Sequence, residues 1–191
     1  MYEQVLQAGR VTATSQLHGD SQDHEPLDCA NRSAGILVMA FGNSMRGDDG
    51  IGPAVLQALA QRDDLPQAIV LLDGDAWTLA SELQTNCYQR VILLDALEMG
   101  CPPGAWQRLD LSEHRSYVQK ARQQADSHQL NLDTLLALFE IIEVPLPELI
   151  VYGIQPQAMG WSAELSANVQ KTIPPLCDQI LKDLTKDAFY G

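Results

Sequence analysis

The chain has 191 residues, 12 of them Lys or Arg and 25 Asp or Glu, for a formal charge of −13 at pH 7. That length favours one domain with a sizeable core. The acidic balance excludes nucleic acid as a partner, because nucleic-acid binding needs clustered cations to neutralise phosphates.

Residues 1–33 are rich in Gln, Ser, His, Asp and Thr with scattered apolar positions, too little hydrophobic surface to offset ordering entropy. They are expected to be a flexible extension, and His18 and His24, near Asp20 and Asp23, read as parts of a solvated tail rather than a metal clip. Glu3 near the start and the lack of an apolar h-region argue against a signal peptide. A single α/β domain is expected over 34–186, with 187–191 as a tail.

The stretch Gly35 to Gly52, GILVMAFGNSMRGDDGIG, opens with the apolar run Ile36 to Phe41. It reads as a central strand buried on both faces, as a parallel sheet requires, and it ends in a glycine-punctuated loop carrying Asp48 and Asp49. The loop is not a dinucleotide fingerprint: Gly42, Gly47, Gly50 and Gly52 have the wrong spacing for G-x-G-x-x-G. Two carboxylates would also repel a pyrophosphate.

Ile51, Val55, Leu56 and Leu59 then recur at helical spacing with Pro53 in the first turn, predicting a helix over about 52–62. A second strand is expected at Ala68 to Leu72, followed by Asp73, Gly74 and Asp75, and a helix from Trp77 to about Asn86. A third strand, Arg90 to Leu94, ends at Asp95. Trp106 to Leu111 reads as an edge strand, and Ser127 as the cap of a helix with Leu132, Leu135, Leu136, Phe139 and Ile142 on its buried face. Leu149 to Ile154 is a further strand, and Ala163 to about Leu184 a final helix that Pro174 and Pro175 should kink or split. The alternation predicts a three-layer α/β/α fold with a mostly parallel twisted sheet of about five strands, with room for one antiparallel edge strand.

No apolar run reaches the ~18 residues needed to span a bilayer, so no membrane association is expected. Cys29, Cys87, Cys101 and Cys177 show no C-x-x-C or zinc-like spacing and are read as reduced structural thiols of a cytoplasmic protein.

Ligands of open α/β sheets bind beyond the carboxyl ends of the strands, where the order reverses. In a flavodoxin-like order strands one and three are neighbours there, so Asp49 and Asp95 converge on one crevice that His128, at a helix start, can also face. Two carboxylates and an imidazole suit nickel, zinc or iron. Taken singly, each is as readily a helix cap or a surface residue; only their joint placement makes a site.

The pattern F-G-N-S-M-R-G-D-D-G-I-G (Phe41 to Gly52), the strand V-I-L-L-D-A (Val91 to Ala96), Ser127-His128-Gln129 before a leucine-rich helix, and Val151-Tyr152-Gly153-Ile154-Gln155-Pro156 occur in the order found in the nickel-iron hydrogenase maturation endopeptidases. The chain resembles that family over roughly residues 35–184. The resemblance implies an aspartyl-type peptidase that removes a short C-terminal extension from the hydrogenase large-subunit precursor after nickel insertion. It implies Asp49, Asp95 and His128 as metal ligands and catalytic groups, with nickel carried by the precursor and no tightly held metal in the isolated protein, which is expected to be a monomer. Gly42, Asn43, Asp48, Gly50 and Gly52 would shape the loop, Asp48 as a supporting rather than a ligating group and Asn43 by side-chain hydrogen bonds. Asp73-Gly74-Asp75-Ala76 departs from the family's usual Asp-Gly-Gly-Thr; that loop is linked with substrate choice and suggests a bidirectional-hydrogenase subtype. Ala40 also stands where the family carries a glycine.

Two other functions share parts of this pattern. A receiver-like phosphoacceptor domain has an acidic pair after its first strand and an Asp after its third, but needs a late-strand Lys that Leu149 to Pro156 lacks. A non-cleaving, nickel-dependent maturation chaperone would keep the same site without the hydrolysis.

Overall fold

A computed structural model describes residues 35–66, 69–111 and 147–185. The expected extension 1–33 with Cys29, the helix starting near Ser127 with His128, and the tail 187–191 lie outside the described residues.

Five strands form one sheet: β1 (Gly35–Ala40), β2 (Ile69–Asp73), β3 (Tyr88–Ala96), β4 (Trp106–Asp110) and β5 (Glu148–Ile154). Their order is β2-β1-β3-β5-β4, parallel throughout except for β4, which pairs antiparallel with β5 at the edge. The apolar runs behave as two-sided strands. Ile36, Val38 and Ala40 of β1 face one core with Ile92, Leu94, Ile150 and Tyr152, and Leu37, Met39 and Phe41 face a second with Leu93 and Val151. α1 (Ile51–Ala60) covers the first face and α2 (Ala76–Thr85) the second. The chain winds from β1 outward to β2 and then back across β1 to β3, and right-handed crossovers in opposite directions put their helices on opposite faces. The strand order therefore reverses between β1 and β3, the pair carrying Asp49 and Asp95.

Element edges differ from the expected ones by a few residues. The third strand is longer than its apolar run and takes Asp95 into β3 itself, paired with Gly153 of β5. The last helical stretch is split, though upstream of the prolines: α3 (Ala167–Gln170) stops and α4 (Ile173–Thr185) starts afresh. Pro174 and Pro175 fall in the first turn of α4, where backbone N–H groups have no helical partner to lose. Ala163 to Ser166 is consequently loop rather than helix. The cysteines also depart from expectation, for Cys87 is disulfide-bonded while Cys101 and Cys177 are free. No C-x-x-C or other local spacing marks Cys87 for that bond.

α4 is fastened to the sheet by a buried carboxylate. Asp183 accepts from the Tyr152 hydroxyl at 2.7 Å and from Arg108 Nε at 2.6 Å, joining α4 to β5 and β4. At the other end of the fold α1 approaches the strands closely. A Cβ on Gly52 would lie 2.4 Å from the carbonyl oxygen of Phe41 and 2.7 Å from that of Leu94. Glycine at this position lets the start of α1 sit directly over the ends of β1 and β3. Gly52→Ala should therefore destabilise the protein by roughly 2–4 kcal/mol through overpacking against backbone; a urea midpoint equal to that of the parent would contradict the close approach.

Candidate active site

The loop after β1 leaves the sheet at Phe41, whose N–H donates to the carbonyl of Leu94 on β3 at 2.8 Å. Gly42 follows with φ of 120°, and a Cβ there would lie 1.9 Å from the carbonyl oxygen of Asp49. Only glycine permits that turn. Asn43 shapes the next step: its Oδ1 accepts from Met45 N–H at 2.9 Å, and its own backbone N–H donates to Asp49 Oδ2 at 3.1 Å. Gly47–Gly50 then forms a single 3₁₀ turn that runs into α1.

The two aspartates of that turn have opposite surroundings. Asp48 is fully buried. Its Oδ2 accepts from Gln157 N–H at 2.8 Å, Ala158 N–H at 2.9 Å and the Ser166 hydroxyl at 2.9 Å, and its Oδ1 from Ser166 N–H at 2.7 Å. Burial alone would raise the carboxyl, but three backbone amides and a hydroxyl outweigh it and hold the pKa below the usual value. Asp48 thus ties the acidic loop to the segment after β5. The same two stretches also pair through Gly47 N–H to Ser162 O at 2.7 Å and Ser162 N–H to Met45 O at 3.1 Å.

Asp49, half-buried, points away from that cage. Its charge acts on Asp95, which is 5% exposed near the end of β3. Burial first, and then the neighbouring Asp49, push the Asp95 carboxyl up to about 7, against one favourable backbone N–H from Ala96. Among the described residues no cation pairs with either carboxylate, so nothing there offsets the charge of Asp49 on Asp95. A crevice of about 240 Å³ lies between the ends of β3 and β5, lined by Arg46, Ala96, Glu98 and Gln157, one residue along β3 from Asp95.

Gln155 was not assigned a role from sequence, yet it organises the far wall of this region. Its Oε1 accepts from the N–H groups of Met99 (2.7 Å) and Cys101 (3.2 Å), and its Nε2 donates to Glu98 at 2.6 Å. The signal lay in Gly153-Ile154-Gln155-Pro156, where a polar side chain directly follows a buried strand. Ser166 left no comparable trace, because it sits in the stretch that reads as helix.

Of the other sequence-selected positions, Gly50 lies in the 3₁₀ turn, and Gly52 in the first turn of α1. Asp73 ends β2 in register with Ala40, and Gly74 N–H donates to the Ala40 carbonyl at 3.1 Å, which sets this loop beside the acidic one. Asp75 caps α2, accepting from the N–H and the hydroxyl of Thr78, both at 2.9 Å. His128 lies outside the described residues, so the structure brings together Asp49 and Asp95, with Asp48 behind them.

Replacing Asp48 by Asn should cost about 2–4 kcal/mol, because an amide –NH₂ would face a donor and the charge-assisted bonds would be lost. Unchanged denaturant unfolding would show that the cage is dispensable. Asp95 has the reverse linkage. A carboxyl whose folded pKa exceeds its unfolded one makes the folded state bind more protons, so stability falls as pH rises from about 4 to about 7 and then levels off. Asp95→Asn should consequently be more stable than the parent at pH 8 by roughly 2–4 kcal/mol, with the gap closing towards pH 4; a gap independent of pH would overturn this electrostatic picture.

Comparison with known proteins places the chain in a family. The sequence model of the HycI family, hydrogenase maturation protease, matches residues 53–183. The hydrogenase 2 maturation protease of Escherichia coli K12 is 31% identical over 157 residues, covering 80% of this chain and 92% of its own. The crystal structure of a hydrogenase 2 maturation peptidase from a Thaumarchaeota archaeon aligns at a TM-score of 0.59 and 30% identity, covering 78% of this chain and 97% of that one. The hydrogenase-maturating endopeptidase HybD of E. coli aligns at a TM-score of 0.64 with 28% identity, over 80% and 93% of the two chains. From the glycine-bounded acidic loop to the last helix, the chain is built as a hydrogenase maturation protease and belongs to that family.

Proposed function

We propose that this peptidase removes a C-terminal extension from the large-subunit precursor of a nickel-iron hydrogenase, and that it acts once nickel is in place. Membership of a peptidase family sets aside the receiver-like and the non-cleaving readings. The observation that carries the nickel step is the uncompensated pair Asp49 and Asp95 at the strand-order reversal. Carboxylates held close together without a cation favour an incoming one, and a metal bound in the precursor supplies it. Asp49 and Asp95 contribute oxygen ligands, and His128 is assigned as the third on the strength of the resemblance.

In this reading nickel is part of the substrate, and its capture docks the precursor so that the scissile peptide lies along the crevice beside Asp95. Asp48 holds Asp49 on its turn and takes no part in ligation, since it is fully buried and four hydrogen bonds fix it in its cage. Nickel held by Asp95 would keep that carboxylate ionised, so its raised pKa describes the protein before the precursor docks, and ligation would release the proton it otherwise retains. The departure of Asp73-Gly74-Asp75 from the family's usual loop, next to the acidic one, is consistent with a particular hydrogenase subclass such as the bidirectional type.

The test is to incubate the protein with nickel-loaded and nickel-free precursor from the same source and follow precursor mass. A C-terminal fragment should be lost only with nickel, and Asp49→Ala and His128→Ala should each slow this by at least about 100-fold. Equal cleavage of the nickel-free precursor would overturn nickel gating.

A further inference from the structure

Large apolar side chains left in water are informative when they gather in one place. Among the described residues three are prominently exposed: Met45 at 57%, Trp77 at 67% and Trp161 at 85%. Each follows the carboxyl end of a parallel strand, Met45 after β1, Trp77 after β2 and Trp161 after β5. All three therefore stand at the sheet end that carries Asp49 and Asp95.

Met45 and Trp161 are also held in place. Ser162 N–H donates to the Met45 carbonyl, Gly47 N–H to the Ser162 carbonyl, and Arg46 and Ser162 form an isolated parallel bridge. The Asp48 cage clamps the same two segments from beneath. A tryptophan presented on a braced backbone loses little freedom on contact, which is the usual character of an interface anchor. Asp49, Asp73, Asp75, Glu98 and Glu164 surround this edge with negative charge, and Arg46 is the basic side chain in the acidic loop.

We infer that Met45 and Trp161, extended by Trp77, form the docking surface for the folded body of the protein substrate, a partner presenting an apolar patch flanked by cationic side chains. This deepens the proposed function and rests on it: a precursor whose scissile segment reaches Asp49 and Asp95 must pass over this rim. The apolar anchors supply affinity, and the acidic surround steers the approach.

The experiment is steady-state processing of nickel-loaded precursor by the full chain and by Trp161→Ala, Met45→Ala and Trp161→Phe. Trp161→Ala should raise KM about 30-fold and Met45→Ala roughly 5-fold, with kcat within about two-fold of the parent and Trp161→Phe recovering most of the loss. Thermal unfolding of all three should match the parent, since the side chains are exposed. An active parent with unchanged KM in the variants would overturn the docking surface and leave the proposed function standing. A parent that neither binds nor cuts the precursor would remove both. Self-association of the parent that Trp161→Ala abolishes, with KM unaltered, would assign the rim to a second copy of the chain and also overturn the inference.

Discussion

One buried carboxylate holds the working end of this protein together. Asp48 receives three backbone N–H groups and a hydroxyl from a segment more than a hundred residues away, and through them the loop after β1 and the loop after β5 become one body. A buried charge is tolerable only when its lone pairs are filled, so the cage constrains both loops at once. The 3₁₀ turn, the direction of Asp49, the start of α1 and the Met45–Ser162 pairing all follow from it.

Adjacent in sequence, Asp48 and Asp49 show how far environment outranks residue type. Donors converge on one and lower its pKa; the other sits across from a dry carboxyl, Asp95, whose pKa is driven upward. Two opposite electrostatic settings are thereby separated by a single peptide unit, with Gly42 and Gly52 supplying the close approaches that let the turn lie on the strand ends. The protein stores unfavourable electrostatics at one point and covers that cost with a satisfied cage beside it.

Much of this was legible in the sequence, because the strands are buried on both faces and read as unbroken apolar runs, while β1 and β3 are neighbours only in the flavodoxin-like of the two common orders, which the structure adopts. The acidic loop announced itself through glycines whose spacing fitted no phosphate site. What was hidden depends on contacts across long separations. Ser166 sits where apolar residues recur at helical spacing, and nothing local says that its N–H is needed by Asp48. The break before α4 falls at Lys171 and Thr172 rather than at the prolines, since proline is compatible with a first turn. The bond at Cys87 likewise depends on spatial proximity, and Gln155 revealed only that it was polar, not that it would hold the turn after β3.

The antiparallel β4 has a further consequence. A four-stranded parallel sheet ending at β5 would expose a seven-residue apolar edge, Glu148–Ile154, with its amide and carbonyl groups unpaired along one side. β4 covers that edge and replaces it with a five-residue strand whose exposed positions include Gln107, Arg108 and Asp110. The opposite edge, β2, is equally short and closes on Asp73. Short edge strands, and charged ones such as β4, discourage strand addition between molecules. A protein that exposes tryptophans at one end of its sheet can therefore remain dispersed at high concentration, its stickiness confined to a single face.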